Sequence, residues 1–377
     1  MKQATYARAR LWTGISGVGT FVVLATIGLV AGLPERLLGG QGGSPGQDAA
    51  ALFLTLAVAA LVALPFDLMG GYVLPRRHGR PAPDAARFAV RWFRGVLVLL
   101  AISTASGTLI LTAGRAGGRP VALATFVAIL AVMLLGQERI ARLVGGLRRV
   151  QSSREGAGDG RDLIVLEGED PGFSGGFTGP SATPVVPARW ARTFEPASLD
   201  LLLERRRAIL DSGAWRAAIL FAIVWNTAGF GLASLLPGAG VTTVAGLVST
   251  ALGFTLWTFV GLLVLPTPSR SATRAADVAV AVDDAARARL EEAVRTLDQL
   301  QDDEPERSPG LESVFHPVPS VSSRIRALAS GEGRSAGAWH LARTALYLSH
   351  AGLSLLPRAV HCNAGRPELW VYLPSDG

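Results

Sequence analysis

The segment Leu201–Leu210, LLLERRRAIL, sets one carboxylate, Glu204, before three consecutive arginines. Two roles suit it. A cationic cluster at the foot of a membrane helix meets anionic headgroups, worth about 1 kcal/mol per residue. The other is what remains of a catalytic helix, with Glu204 as its acid–base group. Other ligand-type and nucleophilic side chains are scattered. The five histidines, His78, His316, His340, His350 and His361, contain no i, i+4 pair. The single cysteine lies in His361-Cys362-Asn363, which offers metal ligands or a thiol but no identifiable basic partner. One cysteine permits neither an intrachain disulfide nor a CxxC pair.

The elements that must position these residues are mostly membrane-spanning. The 377-residue chain is 49% hydrophobic and 17% charged, against about a quarter charged in an ordinary soluble domain. Its net charge of +7 sits at the ends of apolar runs without interleaved aromatics, which excludes nucleic acid and favours a membrane surface. Leu11–Pro34 runs 24 residues without a charge, longer than a signal peptide's apolar region and enough to span about 30 Å of hydrocarbon. Ala49–Phe66, Gly95–Gly114 and Pro120–Gln137 are further spans. Ala217–Ser269 holds 53 residues with no ionisable side chain, broken by LLPGAG at Leu235–Gly240 into a hairpin of two spans. Asp67 lies near enough to a span end to snorkel. Asn226 lies deep, where one interhelical hydrogen bond would satisfy it.

Arginine placement orients six spans. The loop Arg76–Arg94 carries six arginines, the loops at 34–48 and 114–119 carry one and two, and the hairpin tip carries none. Both termini then lie in the cytoplasm, in a bacterial inner membrane. The expected organisation is a four-helix membrane region (1–137), a cytoplasmic segment (138–216), a membrane hairpin (217–265) and a second cytoplasmic segment (266–377). Within these, Asp162–Leu166 and Glu368–Pro374 read as strands. Ser152–Arg161 and Ser174–Pro184 read as loops, the latter continuing the glycine-rich PGFSGGFTGP. Ser198 reads as the cap of a helix reaching Ser212, Ala275–Leu300 as helical, Gln301–Pro309 as an acidic linker, and WHLARTALYLSHAGL as an amphipathic interfacial helix.

The order of these elements, with Ala276-Asp277 and His316-Pro317…Arg324-Ile325, resembles the membrane zinc metallopeptidases of the HtpX-like and CAAX-prenyl-protease clan across residues 160–330. That family carries H-E-x-x-H on a helix before a membrane hairpin. A glutamate ligand and a helical aspartate follow in E-x-x-A-D. Glutamate laid on glutamate puts Leu203 and Arg207 at the histidine positions and Thr273 at the third ligand. Leucine has no lone pair, and an arginine cannot deprotonate to offer one. The resemblance thus implies a degenerate zinc site. Glu204 is an inactive remnant there, Asp277 the carboxylate behind the former ligands, and His316 and Arg324 further remnants. Phe173, Gly175 and Gly176 lie where the family presents a strand edge to extended substrate, though a plain tight hairpin fits them equally.

The expected fold is an α-helical membrane protein of about six spans with a small cytoplasmic α+β domain. The expected function is a pseudopeptidase that binds or scaffolds a peptide or membrane-protein partner, with the bilayer as its other partner and no cofactor. Two alternatives stand beside it. One is an active zinc metallopeptidase with other ligands. The other is a transporter or channel, disfavoured by the scarcity of intramembrane charge.

Overall fold

A computed structural model describes residues 5–40, 43–150, 163–179, 182–331 and 337–372. The loop expected at Ser152–Arg161, and Asp162, Pro180, Ser181 and Pro374, lie outside them. The longer helices are α1 (Tyr6–Val30), α2 (Pro45–Leu68), α3 (Ala85–Leu135), α4 (Pro196–Asp211), α5 (Ala214–Ala233), α6 (Val244–Val264), α7 (Pro266–Val280), α8 (Asp284–Gln301), α9 (Val321–Ser330) and α10 (Leu341–Leu348). The chain divides into two compact units.

The first unit comprises residues 1–136, 223–261 and 345–370. Among the described residues, five helical stretches are long and apolar enough to cross a membrane: α1, α2 with its continuation to Arg77, α3, α5 and α6. The protein is an integral membrane protein. The 51-residue α3 is broken at Gly117 and Gly118, whose backbone angles leave the helical region. The break falls between the runs expected as the third and fourth spans. α2 passes through a π-helical turn at Met69–Val73, where Gly71 closes on backbone. A Cβ there would lie 2.0 Å from the Gly365 carbonyl oxygen.

The two ends of this unit carry different polar groups. At one, Arg115 bridges the Asp48 carboxylate (2.5 Å) and the Thr242 carbonyl oxygen (2.8 Å), so the expected low-arginine loops and the hairpin tip share an end. At the other, Tyr6 packs on His78 and beneath Arg80.

Four expectations fail here. Asp67 does not snorkel: it is 1% exposed. It accepts hydrogen bonds from Trp92 Nε1 (2.8 Å), the Gly365 amide (2.7 Å) and Arg358 Nη2. Residues 345–370 also pack within this unit rather than with the polar one. No interfacial helix forms, since residues 341–352 are buried throughout. The expected strand at Glu368 is a short 3-10 turn, Pro367–Leu369, followed by irregular chain. Trp370, within that expected strand, is instead held by Nε1–H donating to the Asn363 carbonyl (2.8 Å). Asn226 behaves as expected, donating to the Ala345 carbonyl at 3.1 Å.

The second unit comprises residues 137–222, 262–344 and 371–377. Its four-stranded sheet has the order β1-β2-β4-β3, from β1 (Arg148–Val150), β2 (Ile164–Glu167), β3 (Gly176–Thr178) and β4 (Thr183–Pro187). β2 and β4 run parallel, and the other two pairs are antiparallel. The expected first strand thus forms as β2, and part of the expected glycine-rich loop becomes β3 and β4. α4 starts with Pro196 at its first turn after Glu195, not at Ser198. It ends at Ser212 before Gly213, whose φ of +74° suits a residue without a Cβ. The expected continuous helix over Ala275–Leu300 is two, α7 and α8, separated at 281–283. Three apolar clusters hold the unit. Leu202 packs with Trp190 and Leu297, Ile209 with Trp215, Ala276 and Trp339, and Leu201 with Leu290 and Val321.

Candidate functional site

The site is organised by the buried face of α4. Leu199, Leu202, Arg206 and Ile209 fall at spacings of three and four, so they share one side of the helix. Arg205 lies beside them. Arg205 is 1% and Arg206 0% exposed. Glu204 faces solvent, and Leu203 and Arg207 are only half-buried. This corrects the register read from the sequence. Residues 203, 204 and 207 do not form the inward face, and Arg205 and Arg206 do not reach out to headgroups. Arg216 is exposed.

α7 supplies the opposing wall. Thr273 and Asp277, four residues apart, are 2% and 1% exposed. The Thr273 hydroxyl donates to the Ser269 carbonyl at 3.1 Å. Asp277 receives Arg205 Nε on Oδ1 (2.6 Å), Arg324 Nε on Oδ2 (2.7 Å) and Arg324 Nη2 on Oδ1 (2.8 Å). Burial alone would raise this carboxyl's pKa. The charges of Arg324 and Arg205 and their hydrogen bonds outweigh burial, and the net shift is downward. Asp277 and Arg324, the two fragments singled out in the sequence, therefore meet. His316 is buried at the end of the short helix Pro309–Phe315. Its carbonyl accepts from Arg270, which also holds the carbonyls of Glu312 and Ser313.

The glycine-rich edge forms the third wall. Arg206 donates from Nη2 to the Ser174 carbonyl and from Nη1 to the Gly176 carbonyl, both at 2.8 Å. Its guanidinium lies 5.5–5.6 Å from the ring centroids of Phe177, Trp190 and Trp339, a distance at which cation–π attraction operates. Arg189 takes the carbonyls of Asp170 and Phe173. Phe173 is buried against Tyr372. Gly175, at φ +75°, is needed: a Cβ would sit 1.9 Å from the Val185 carbonyl oxygen. Arg206 thus receives the Ser174 and Gly176 carbonyls, and Arg189 those of Asp170 and Phe173.

Sequence reasoning missed Arg205, Arg206, Ile209, Arg189 and the tryptophans. The signal for Arg206 was present in the 199–202–206–209 spacing. For Arg189 and Trp339 no local pattern marks a role.

The fold and site together define a polytopic α-helical membrane protein with a small sheet-containing polar unit whose strand edge faces a buried helix. Among solved structures, the fold is similar to that of Ste24p from S. mikatae, with a TM-score of 0.62 over 76% of this chain and 76% of that chain, at 16% identity. No protein-family profile matches the sequence, and a search of curated proteins finds no relative.

Proposed function

We propose that this chain is a catalytically inactive, metallopeptidase-like membrane protein of the bacterial inner membrane, with both termini cytoplasmic, that binds or scaffolds a membrane-protein or peptide partner. The carrying observation is the identity of the inward residues of α4. Laid on that face, the family's H-E-x-x-H falls on Arg205, Arg206 and Ile209, with Thr273 at the third ligand. The arrangement supports this register in two ways. Arg206, at the position of the acid–base glutamate, faces the strand edge. Arg205, at the first histidine, contacts Asp277.

Zinc does not fit this set. Ile209 has no donor atom, the arginines carry positive charge, and the Thr273 hydroxyl is engaged in its own helix. Such residues supply neither a metal-bound water nor a general base, so they support no hydrolytic step. The same arginine closes the edge. A peptide adding to a sheet pairs with the outward carbonyls of the last strand, and Arg206 holds that of Gly176 together with that of Ser174 just before the strand. Partner binding then uses surfaces other than that edge, which favours scaffolding over capture of an extended substrate. The Ste24p-like fold and the apolar helices support the membrane setting, and the six arginines at 76–94 support the cytoplasmic side.

The test is metal content and peptidase activity of the purified protein in detergent. Substoichiometric zinc without cleavage of unfolded protein supports the reading. Stoichiometric zinc with chelator-sensitive cleavage overturns it. A second arm tests the register. Arg205→His, Arg206→Glu, Ile209→His and Thr273→Glu together should raise zinc uptake above that of Leu203→His, Arg207→His and Thr273→Glu.

A further inference from the structure

The loop that joins α2 to α3 in the membrane unit carries positive charge that the protein itself does not neutralise. Residues 76–87 hold four arginines against one aspartate, a net charge of +3. Arg76 is fixed in place: its guanidinium lies 4.3 Å from the Tyr72 ring centroid, and its Nη2 donates to the Pro83 carbonyl at 2.8 Å. Arg76 and Arg77 are both exposed, and among the described residues neither pairs with a carboxylate. Arg87 meets the exposed Asp84 at 3.3 Å. Asp84 follows Pro83, so Arg76 and Arg87 converge on one turn. The acids buried against α3 are already engaged, Asp67 by Arg358 and Glu368 by Arg91.

The position of the loop selects the partner. α2 continues as helix to Arg77 and α3 begins at Ala85, so these arginines stand where two apolar spans end. Val90, Phe93 and Leu97 are exposed. Spaced by three and four, they form one apolar side of α3, and Arg87 stands one turn before it. A ligand that meets both features carries negative charge on an aliphatic chain. Guanidinium forks match phosphate oxygens in pairs. A zwitterionic headgroup would bring its ammonium to the same cations, and an acidic peptide matches the charge but not the apolar side. At the other end of the unit, Arg115 is neutralised by Asp48. We propose that the 76–87 loop and the adjoining side of α3 bind an anionic phospholipid, with its phosphodiester on Arg76, Arg77 and Arg87 and an acyl chain along Val90, Phe93 and Leu97.

The test uses the full-length protein in detergent, with dioleoylphosphatidylglycerol and dioleoylphosphatidylcholine as probes, read by thermal shift and native mass spectrometry. The anionic lipid should raise the Tm saturably and stay bound as a one-to-one adduct, about tenfold more tightly than the zwitterionic one. Arg77→Gln with Arg87→Gln should weaken it about tenfold or more, at roughly fivefold per arginine. Arg119→Gln removes an exposed arginine at the opposite end and should change binding by less than about twofold. Arg77 and Arg87 are exposed, so the lipid-free Tm should hold. If it falls, Arg77→Gln alone, which breaks no contact among the described residues, is read for a loss of about fivefold. Four results overturn the proposal: equal binding of the two lipids, unchanged binding by the double variant, an equal loss in Arg119→Gln, or glycerol 3-phosphate or a poly-glutamate peptide binding as tightly as the lipid. None depends on zinc or on the peptidase-like unit, so failure here is separable from failure of the functional reading.

Discussion

Arg205 Nε lies 2.6 Å from Asp277 Oδ1, and both side chains are 1% exposed. A helix of the polar unit is therefore tied to its opposing wall by a buried charge pair, which Arg324 completes from the other side. Removing Arg205 leaves Asp277 paired with Arg324 but takes away one buried charge-assisted hydrogen bond. Arg205→Met is expected to cost about 1.5–3 kcal/mol. Arg207→Lys, at a half-buried position, should stay within about 0.5 kcal/mol. Thermal unfolding in detergent checks the contrast. Equal small losses would mean that Arg205 is not the member that ties the helices.

The same carboxylate sets an acid limit. Its folded pKa lies below the ordinary value, so its stabilisation is present above the unfolded pKa, about 4. It is lost as pH falls through the lower folded value. Asp277→Asn should unfold more readily than wild type at pH 7 and show a shallower further loss as the pH is taken from neutral to strongly acidic. The measurement is Tm against pH.

Asp298 has the opposite sign. Burial is the main cause, offset by Arg307 and reinforced by Asp302, and its pKa is pushed up to about 6. A raised folded pKa means that its contribution is complete below the unfolded value, about 4, and lost as pH rises through the folded one. Asp298→Asn should therefore gain about 1–3 kcal/mol relative to wild type in mildly alkaline buffer, and less in mildly acidic buffer. A gain confined to low pH would contradict the assignment.

Arg206→Lys tests the closed edge. A lysine ammonium is a point charge and cannot reproduce the planar fork that spans the Ser174 and Gly176 carbonyls. The expected loss is about 1–3 kcal/mol, with faster proteolysis confined to 173–178. Unchanged cleavage there would show that the edge is held by other contacts.

Gly175 and Gly179 give a paired test of backbone strain. Both adopt positive φ, +75° and +72°, but only at Gly175 does a Cβ meet backbone; at Gly179 nothing lies within 4 Å. Gly179→Ala should cost about 1 kcal/mol or slightly more, the usual left-handed penalty. Gly175→Ala should cost clearly more. Denaturant unfolding of both variants measures the difference, and equal losses would contradict the close approach.

The sequence by itself determined the membrane character, the approximate spans and the order of elements. These depend on run length and on charge at run ends, which are local properties of the chain. The break inside α3 was legible from Gly117-Gly118-Arg119-Pro120. So was the strand at Ile164–Glu167, from its β-branched run. Only the tertiary structure decided which residues of LLLERRRAIL face inward. An arginine counts as polar in any periodicity, so its burial is visible only once Asp277, Arg324 and the Ser174 and Gly176 carbonyls are brought to it from distant parts of the chain. The same holds for Asp67, which reads as a snorkelling end residue until Arg358 and the Gly365 amide arrive from far along the sequence. A buried charge is stable only with its partner, and the partner's position is set by the fold rather than by local sequence.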